Sequence, residues 1–111
     1  MEDSSAQFTI TRSDAGDSDD VRFALAGELD AHSAPMVQQA LTDGASDDSV
    51  RVVLDFSEVS FMDSSGLRIM IGESTRRRAA GGSFVLASVP RPVSRLLDVS
   101  GVSDHLEIDP G

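Results

Sequence analysis

From residue 27 onward, segments typical of β-strands alternate with segments typical of α-helices. This alternation restricts the fold strongly, because it is typical of parallel strands joined by right-handed helical crossovers. The chain has 111 residues, which is enough for one domain. We therefore predict a single α/β domain over 1–111, with helices packed on a mixed central sheet of four or five strands.

The predicted elements follow from hydrophobic periodicity. The predicted strands are 7–12, 21–27, 49–56, 83–88 and a short edge strand at 105–109. The predicted helices are 33–45, 64–80 and 89–101. Ser33 is the expected N-cap of the first helix, and its expected apolar face comprises Met36, Val37, Ala40 and Leu41. Val52, Val53 and Leu54 are consecutive apolar residues, which predicts a strand covered on both faces.

The composition argues against several classes of function. The formal net charge is −10, so the surface repels phosphate backbones and anionic lipid, and neither nucleic-acid nor membrane binding is expected. Cysteine is absent, which removes disulfides, thiolate catalysis and cysteine-ligated metals. The acidic loop at 13–20 lacks the glutamate spacing of a calcium loop. No metal or cofactor is therefore predicted.

Charge distribution also bears on location and assembly. The N-terminus has no apolar signal core, and no run approaches the ~18 apolar residues of a membrane span. These features favour a soluble cytoplasmic protein. The high net charge favours a monomer, with a weak dimer as the alternative. The basic run 76–78 falls near the end of a predicted helix, where cations complement the helix dipole.

The segment Asp63-Ser64-Ser65-Gly66 lies between a predicted buried strand and a predicted helix. In sheets with parallel pairs, sites gather beyond the carboxyl ends of strands. Two segments leave strands at that edge, GELDAHS and EVSFMDSSG. A hydroxyl in the first turn of the helix would face unpaired backbone N–H groups and the positive end of the dipole, which together form a weak anion site.

Several roles are open to Ser64. It could cap the helix, although Asp63 could do so alone. It could be a nucleophile, but only half of the G-x-S-x-G pattern is present, His32 is the nearest candidate base, and acidic neighbours oppose an oxyanion. We therefore do not predict an enzyme. A nucleotide module is disfavoured because no P-loop sequence is present.

A phosphate-acceptor role for Ser64 would account for all of the polar residues at the junction. A phosphate would bring about −1.5 to −2 charges, which the helix N-terminus can hold. Asp63, and Asp30 from the other loop, would stand nearby as like charges that oppose a docking partner. From the residues alone, helix capping is the favoured role of Ser64, and the role of phosphate acceptor stays an alternative.

Three segments resemble, in order and spacing, the STAS-domain anti-sigma factor antagonists. The resemblance covers about residues 7–108 and implies the STAS fold. The segments are GELDAHSAP at 27–35, VVLDFSEVSFMDSSGL at 52–67 and PRPVSRLLDVSGV at 90–102.

The resemblance implies a partner-switching regulator of bacterial transcription, as in stress response or sporulation. The unphosphorylated form would bind an anti-sigma factor that is also a serine kinase with a histidine-kinase-like ATPase domain, and so release the sigma factor. Phosphorylation by that kinase would end binding, and a PP2C-like phosphatase would restore it. An alternative is a STAS adaptor that binds its partner without this switch.

The resemblance also assigns residues. The acceptor would be Ser64, with Ser65 as second choice, and Asp30 and Asp63 match acidic positions bordering the phosphorylation site. The expected partner-binding surface comprises Glu28, Leu29, Asp30, Asp63, Ser64, Ser65, Gly66 and Arg68. Arg68 does not come with the family, and could either steady a phosphate or form an outward salt bridge.

Overall fold

The computed structural model describes residues 8–14, 20–102 and 105–109. Most of the acidic loop predicted at 13–20 lies outside the described residues, as does residue 7 of the first predicted strand. The described elements, in chain order, are β1 Thr9–Asp14, β2 Val21–Leu29, α1 Ala34–Gly44, β3 Arg51–Met62, α2 Ser64–Ala79, β4 Ser83–Ala87, α3 Arg91–Ser100 and β5 Glu107–Asp109.

The five strands form one mixed sheet in the order β1-β2-β3-β4-β5. β1 pairs with β2 antiparallel, and the remaining neighbours are parallel. Each parallel step is made through a helix, as the alternation of segments predicted. The predicted α/β fold with a mixed central sheet is confirmed.

The core lies between the sheet and the helices. Val52, Val53 and Leu54 of β3 are each at most 2% exposed, and because successive strand side chains point to opposite faces, β3 is covered on both. All three helices contribute to the same hydrophobic cluster, through Val37, Leu41, Leu67, Met70, Val93 and Leu97. Each fully buried side chain of this size contributes roughly 1.5–3 kcal/mol. The burial therefore stabilises the sheet and its crossovers together.

The third strand is longer than the sequence predicted. It runs to Met62, although apolar periodicity indicated an end at residue 56. The extension exists because the segment from Glu58 to Met62 continues to pair with β2, after register shifts that follow Ala24 and Gly27. The part of the junction expected to be loop is therefore mostly strand, and α2 begins almost at once.

One expectation for α1 is wrong, and a second is met only in part. Met36 is 42% exposed, whereas the buried residues of this helix are Ala34, Val37 and Leu41. The register of the helix turns residue 36 away from the sheet. Ser33 occupies the N-cap position, as expected, but its side chain makes no capping bond, because its hydroxyl bonds elsewhere in the loop.

The basic run at the end of α2 does more than complement the helix dipole. Arg77 is fully buried, and its Nε donates to Oε1 of Glu73 at 2.9 Å. Its Nη2 donates to the carbonyl of Ala45, just after α1, at 2.9 Å. Gln38 of α1 donates to the other Glu73 oxygen at 2.6 Å. A buried charged cluster thus ties α2 to α1.

A glycine at the start of α2 permits close packing on the sheet. A Cβ at Gly66 would lie 2.6 Å from Cγ of Leu29 and 2.9 Å from Cγ of Met62. A Cβ at Gly72 would meet nothing within 4 Å. Gly66, and not Gly72, is therefore the glycine that lets α2 lie close to the sheet.

We expect the same substitution at these two glycines to have opposite effects. Gly66→Ala should destabilise the fold by about 1–3 kcal/mol, because Leu29 and Met62 must move. Gly72→Ala should stabilise it by up to ~1 kcal/mol, since alanine is the better helix former. Urea denaturation of both variants measures the difference. Equal shifts of the same sign would contradict the packing role of Gly66.

Candidate functional site at the carboxyl edge of the sheet

Two polar segments meet at the carboxyl ends of β2 and β3. Leu29 pairs with Met62 as the last residues of these parallel strands. The backbone N–H of Asp63 then donates to the carbonyl of Leu29 at 3.1 Å. Asp30 and Asp63 therefore leave the sheet at neighbouring points. The predicted convergence of the two segments is confirmed.

Asp63 is the N-cap of α2. Its Oδ1 accepts a hydrogen bond from the backbone N–H of Ser65 at 2.8 Å, and its backbone is extended, with φ −114° and ψ −169°. Its carbonyl accepts the first helical bond, from Leu67 at 3.1 Å. A carboxylate here also suits the positive end of the helix dipole. The capping role considered for Ser64 belongs to Asp63.

Ser64 is the first residue of α2, and its side chain is exposed. Among the residues that the structure describes, its hydroxyl has no hydrogen-bond partner. Ser65, half-buried, lies next to it and is engaged through its backbone. Ser64 therefore carries the more accessible of the two hydroxyls at the junction.

The loop after β2 is held by its own hydrogen bonds. Oδ1 of Asp30 accepts from the backbone N–H groups of His32 at 3.0 Å and Ser33 at 3.1 Å. The Ser33 hydroxyl donates to the carbonyl of Glu28 at 2.6 Å and accepts from the N–H of Asp30 at 2.9 Å. Ser33 is the N-cap residue of α1, but its side chain closes this loop and does not cap the helix. The loop presents Asp30 in one defined position.

These bonds make the loop sensitive to acid. The backbone hydrogen bond from Ser33, followed by that from His32, holds the pKa of Asp30 below its ordinary value of 3.8. A carboxyl whose folded pKa is depressed contributes stability above its unfolded pKa and loses it as the pH falls through the folded value. The contribution of Asp30 is therefore present at neutral pH and is lost below about pH 3.8.

We expect Asp30→Ala to lower the urea midpoint at pH 7, and the difference from wild type to shrink as the pH falls below 3.8. Asp43→Ala is a suitable control, since that carboxylate lies on the exposed side of α1. A difference between wild type and Asp30→Ala that is the same at pH 7 and pH 3 would contradict the assignment.

The other residues of the expected surface divide into two groups. Glu28 and Arg68 are exposed. Leu29 is fully buried and Gly66 is buried, so neither presents a side chain to a partner in this structure. The expectation that Leu29 faces the partner is wrong, because it packs beneath Gly66. Both position the start of α2.

An open depression of about 410 Å³ begins at Ser64 and follows the face of α2. The residues lining it are Ser64, Leu67, Arg68, Ile71 and Gly72. They recur at helical spacing, so one face of the helix forms this surface. This depression was not identified from the sequence. Phe61, 47% exposed beside the junction, was also missed.

His32, considered as a base for Ser64, is exposed, and among the described residues no hydrogen bond joins the two side chains. In 8–14, 20–102 and 105–109, no group of three or more histidine or acidic side chains is placed to hold a metal ion. No helix in these ranges is long and apolar enough to cross a membrane.

Comparison with known proteins agrees with the geometry. The STAS domain family model matches residues 13–111. The chain belongs to the STAS domain family. A curated relative, the anti-sigma-B factor antagonist of Listeria monocytogenes, is 35% identical over 92 residues, which cover 83% of this chain and 81% of that protein.

Solved structures of STAS proteins share the fold. An anti-sigma factor antagonist from Mycobacterium paratuberculosis matches with a TM-score of 0.82 at 23% identity, covering 96% of this chain and 88% of that one. The Bacillus cell fate determinant SpoIIAA in its phosphorylated form matches with a TM-score of 0.61 at 23% identity, covering 91% of each chain. The predicted STAS fold is confirmed.

Proposed function

We propose that this STAS protein is an anti-sigma factor antagonist whose binding is switched off by phosphorylation of Ser64. The unphosphorylated form binds an anti-sigma factor that is also a serine kinase, and the sigma factor is thereby released. The kinase transfers the γ-phosphoryl group of ATP to Oγ of Ser64, and ADP and a proton leave. A PP2C-like phosphatase hydrolyses the phosphoserine and restores binding.

The observation that carries the proposal is the state of the Ser64 hydroxyl. It is exposed and, in the described part of the chain, unbonded, while Asp63 performs the capping that a serine at this place often performs. Its modification therefore breaks no hydrogen bond that holds the helix. A kinase can reach it, and the fold does not depend on it.

The fold tolerates a dianion at this place for electrostatic reasons. The first turn of α2 presents backbone N–H groups and the positive end of the helix dipole to an anion. SpoIIAA, which has the same fold, was solved in a phosphorylated form. Phosphorylation is therefore expected to change the surface charge of the domain without unfolding it.

The same phosphate hinders docking. Asp63 adjoins it in sequence, and Asp30 leaves the neighbouring strand at the same edge. A partner that covers the edge must strip water from a dianion flanked by two carboxylates, which is unfavourable in a partly dry interface. The exposed and half-buried members of the proposed docking surface are Glu28, Asp30, Asp63, Ser64, Ser65 and Arg68.

Intact-mass measurement after incubation with ATP and the cognate kinase tests the proposal. We expect one phosphate per chain, located at Ser64 by fragmentation, and none on Ser64→Ala. Ser65→Ala is the matched control and should still gain the phosphate. Phosphate found on another residue, or none in the presence of an active kinase, would contradict the switch and favour an adaptor that binds without it.

A further inference from the structure

Arg68 differs from two of the three arginines at the other end of α2. Arg76 pairs with Asp48 and Glu73, and Arg77 pairs with Glu73. Arg68 is exposed, and no ion pair to it is found in the described part of the chain. Arg78 is likewise exposed, and no ion pair to it is found in the described residues, so the lack of a carboxylate partner does not by itself distinguish Arg68.

The position of Arg68 relative to Ser64 distinguishes it from the other arginines of α2. The two residues are four apart on one helix, which places their side chains on the same face, and an anion N-terminal to a cation is the favourable order. Independently of spacing, both side chains line the same depression. A group attached to Oγ of Ser64 therefore extends toward the space that the Arg68 guanidinium borders.

We propose that Arg68 is the intramolecular ligand of the phosphate on Ser64. This inference rests on the proposed phosphorylation of Ser64 and describes how that switch is built. The planar guanidinium offers two parallel N–H donors that match two phosphate oxygens, a geometry that lysine cannot supply. The pairing draws the phosphate along α2 and over the depression.

The pairing gives phosphorylation a second effect besides repulsion. In the free form, the depression offers a docking partner two apolar side chains, Leu67 and Ile71, with the Arg68 cation at their border. In the phosphorylated form, the phosphate neutralises that cation and covers the apolar surface with a hydrated anion. The surface thus loses an attraction and gains a repulsion in one step.

Titration of the phosphate tests the pairing without any kinase. Phosphoserine is inserted at position 64 during translation, and the ³¹P resonance is followed against pH for the otherwise wild-type chain and for the Arg68→Gln and Arg68→Lys variants. A nearby cation favours the dianion, whereas the carboxylates of Asp63 and Asp30 oppose it. We therefore expect the phosphate to titrate at higher pH in Arg68→Gln than in wild type, with Arg68→Lys between them.

Arg78→Gln is the matched control, because that arginine is also exposed on α2 but lies about three turns beyond Arg68. Its phosphate midpoint should equal that of wild type. Equal midpoints in wild type and Arg68→Gln would overturn the inference, as would equal shifts in Arg68→Gln and Arg78→Gln, which would show only a change in net charge.

The two proposals can fail separately. If the kinase leaves Ser64 unmodified, the inserted phosphoserine still reports whether Arg68 binds it. If the kinase modifies Ser64 but the midpoints do not differ, phosphorylation stands and the pairing is wrong. Circular dichroism of each chain checks that the variants are folded, so that a changed midpoint reports the local environment of the phosphate.

Discussion

Ser64→Asp is expected to weaken binding to the anti-sigma factor by about 10- to 100-fold, equivalent to ~1.4–2.8 kcal/mol. A single charge added beside Asp63 and Asp30 must be partly dehydrated when the partner docks, and like charges several ångströms apart repel by a few kcal/mol at an effective dielectric of ~20. A phosphate carries up to twice that charge, so phosphorylated Ser64 should lose a hundredfold or more.

Calorimetric titration of the unphosphorylated variants against the anti-sigma factor measures this effect. Ser64→Ala should bind within about threefold of wild type, because loss of one exposed hydroxyl costs little. Thr75→Asp adds the same charge to an exposed position about three turns further along α2 and should also bind normally. If Ser64→Asp binds like Thr75→Asp, residue 64 lies outside the docking surface.

Removing one member of the buried Glu73–Arg77 pair is expected to destabilise the fold by about 3–5 kcal/mol. Both side chains are at most 1% exposed, so Glu73→Leu leaves the buried Arg77 guanidinium without its carboxylate. Arg77→Met leaves the buried Glu73 carboxylate with only its bonds to Arg76 and Gln38. Small domains have only about 5–15 kcal/mol of total stability, so either change removes a large share. Arg77→Met also frees the carbonyl of Ala45.

Urea denaturation at pH 7 measures these changes. Arg78→Met, one residue away but exposed, should shift the stability by less than about 0.5 kcal/mol. The double variant Glu73→Leu with Arg77→Met should recover much of the loss, since two apolar side chains can replace a buried ion pair at little cost. Double-variant losses that equal the sum of the single losses would show that the pair is not coupled.

These two predictions distinguish residues of the proposed docking surface from residues that stabilise the fold. The Ser64 variants alter an exposed side chain with no bond in the described structure, so their effect should appear in binding and not in the urea midpoint. The Glu73 and Arg77 variants alter a cluster that joins α2 to α1 and lies outside the proposed docking surface. A folded fraction of these variants should therefore bind normally.

Much of the fold followed from local patterns. The consecutive apolar residues Val52, Val53 and Leu54 predicted a strand buried on both faces, and the structure confirms it. Gly101 follows the last turn of α3 and ends the helix in the left-handed conformation, with φ 71°, a common position for glycine. Burial of one face of a helix or strand requires apolar residues at a regular spacing, so such elements can be predicted from the sequence.

The extension of β3 was not predictable in this way. Ser57, Glu58 and Ser60 interrupt the apolar run and are exposed, which is typical of a loop. They are in a strand because β2 continues alongside and supplies backbone partners through shifted register. Pairing with a segment distant in sequence therefore made this part of the chain a strand, although its local pattern is typical of a loop.

At the site, the sequence by itself determined the chemistry: a carboxylate, two hydroxyls and a glycine at a strand-to-helix junction, with acidic residues in the preceding loop. Tertiary structure decided which group does what. Asp63 caps α2, Leu29 is buried beneath Gly66, and the hydroxyl of Ser64 is left exposed. The physical reason is that the periodicity of apolar residues encodes which face of a helix or strand is buried. Capping partners and the burial of single residues depend on which distant segments are brought together by the parallel pairing of β2 and β3.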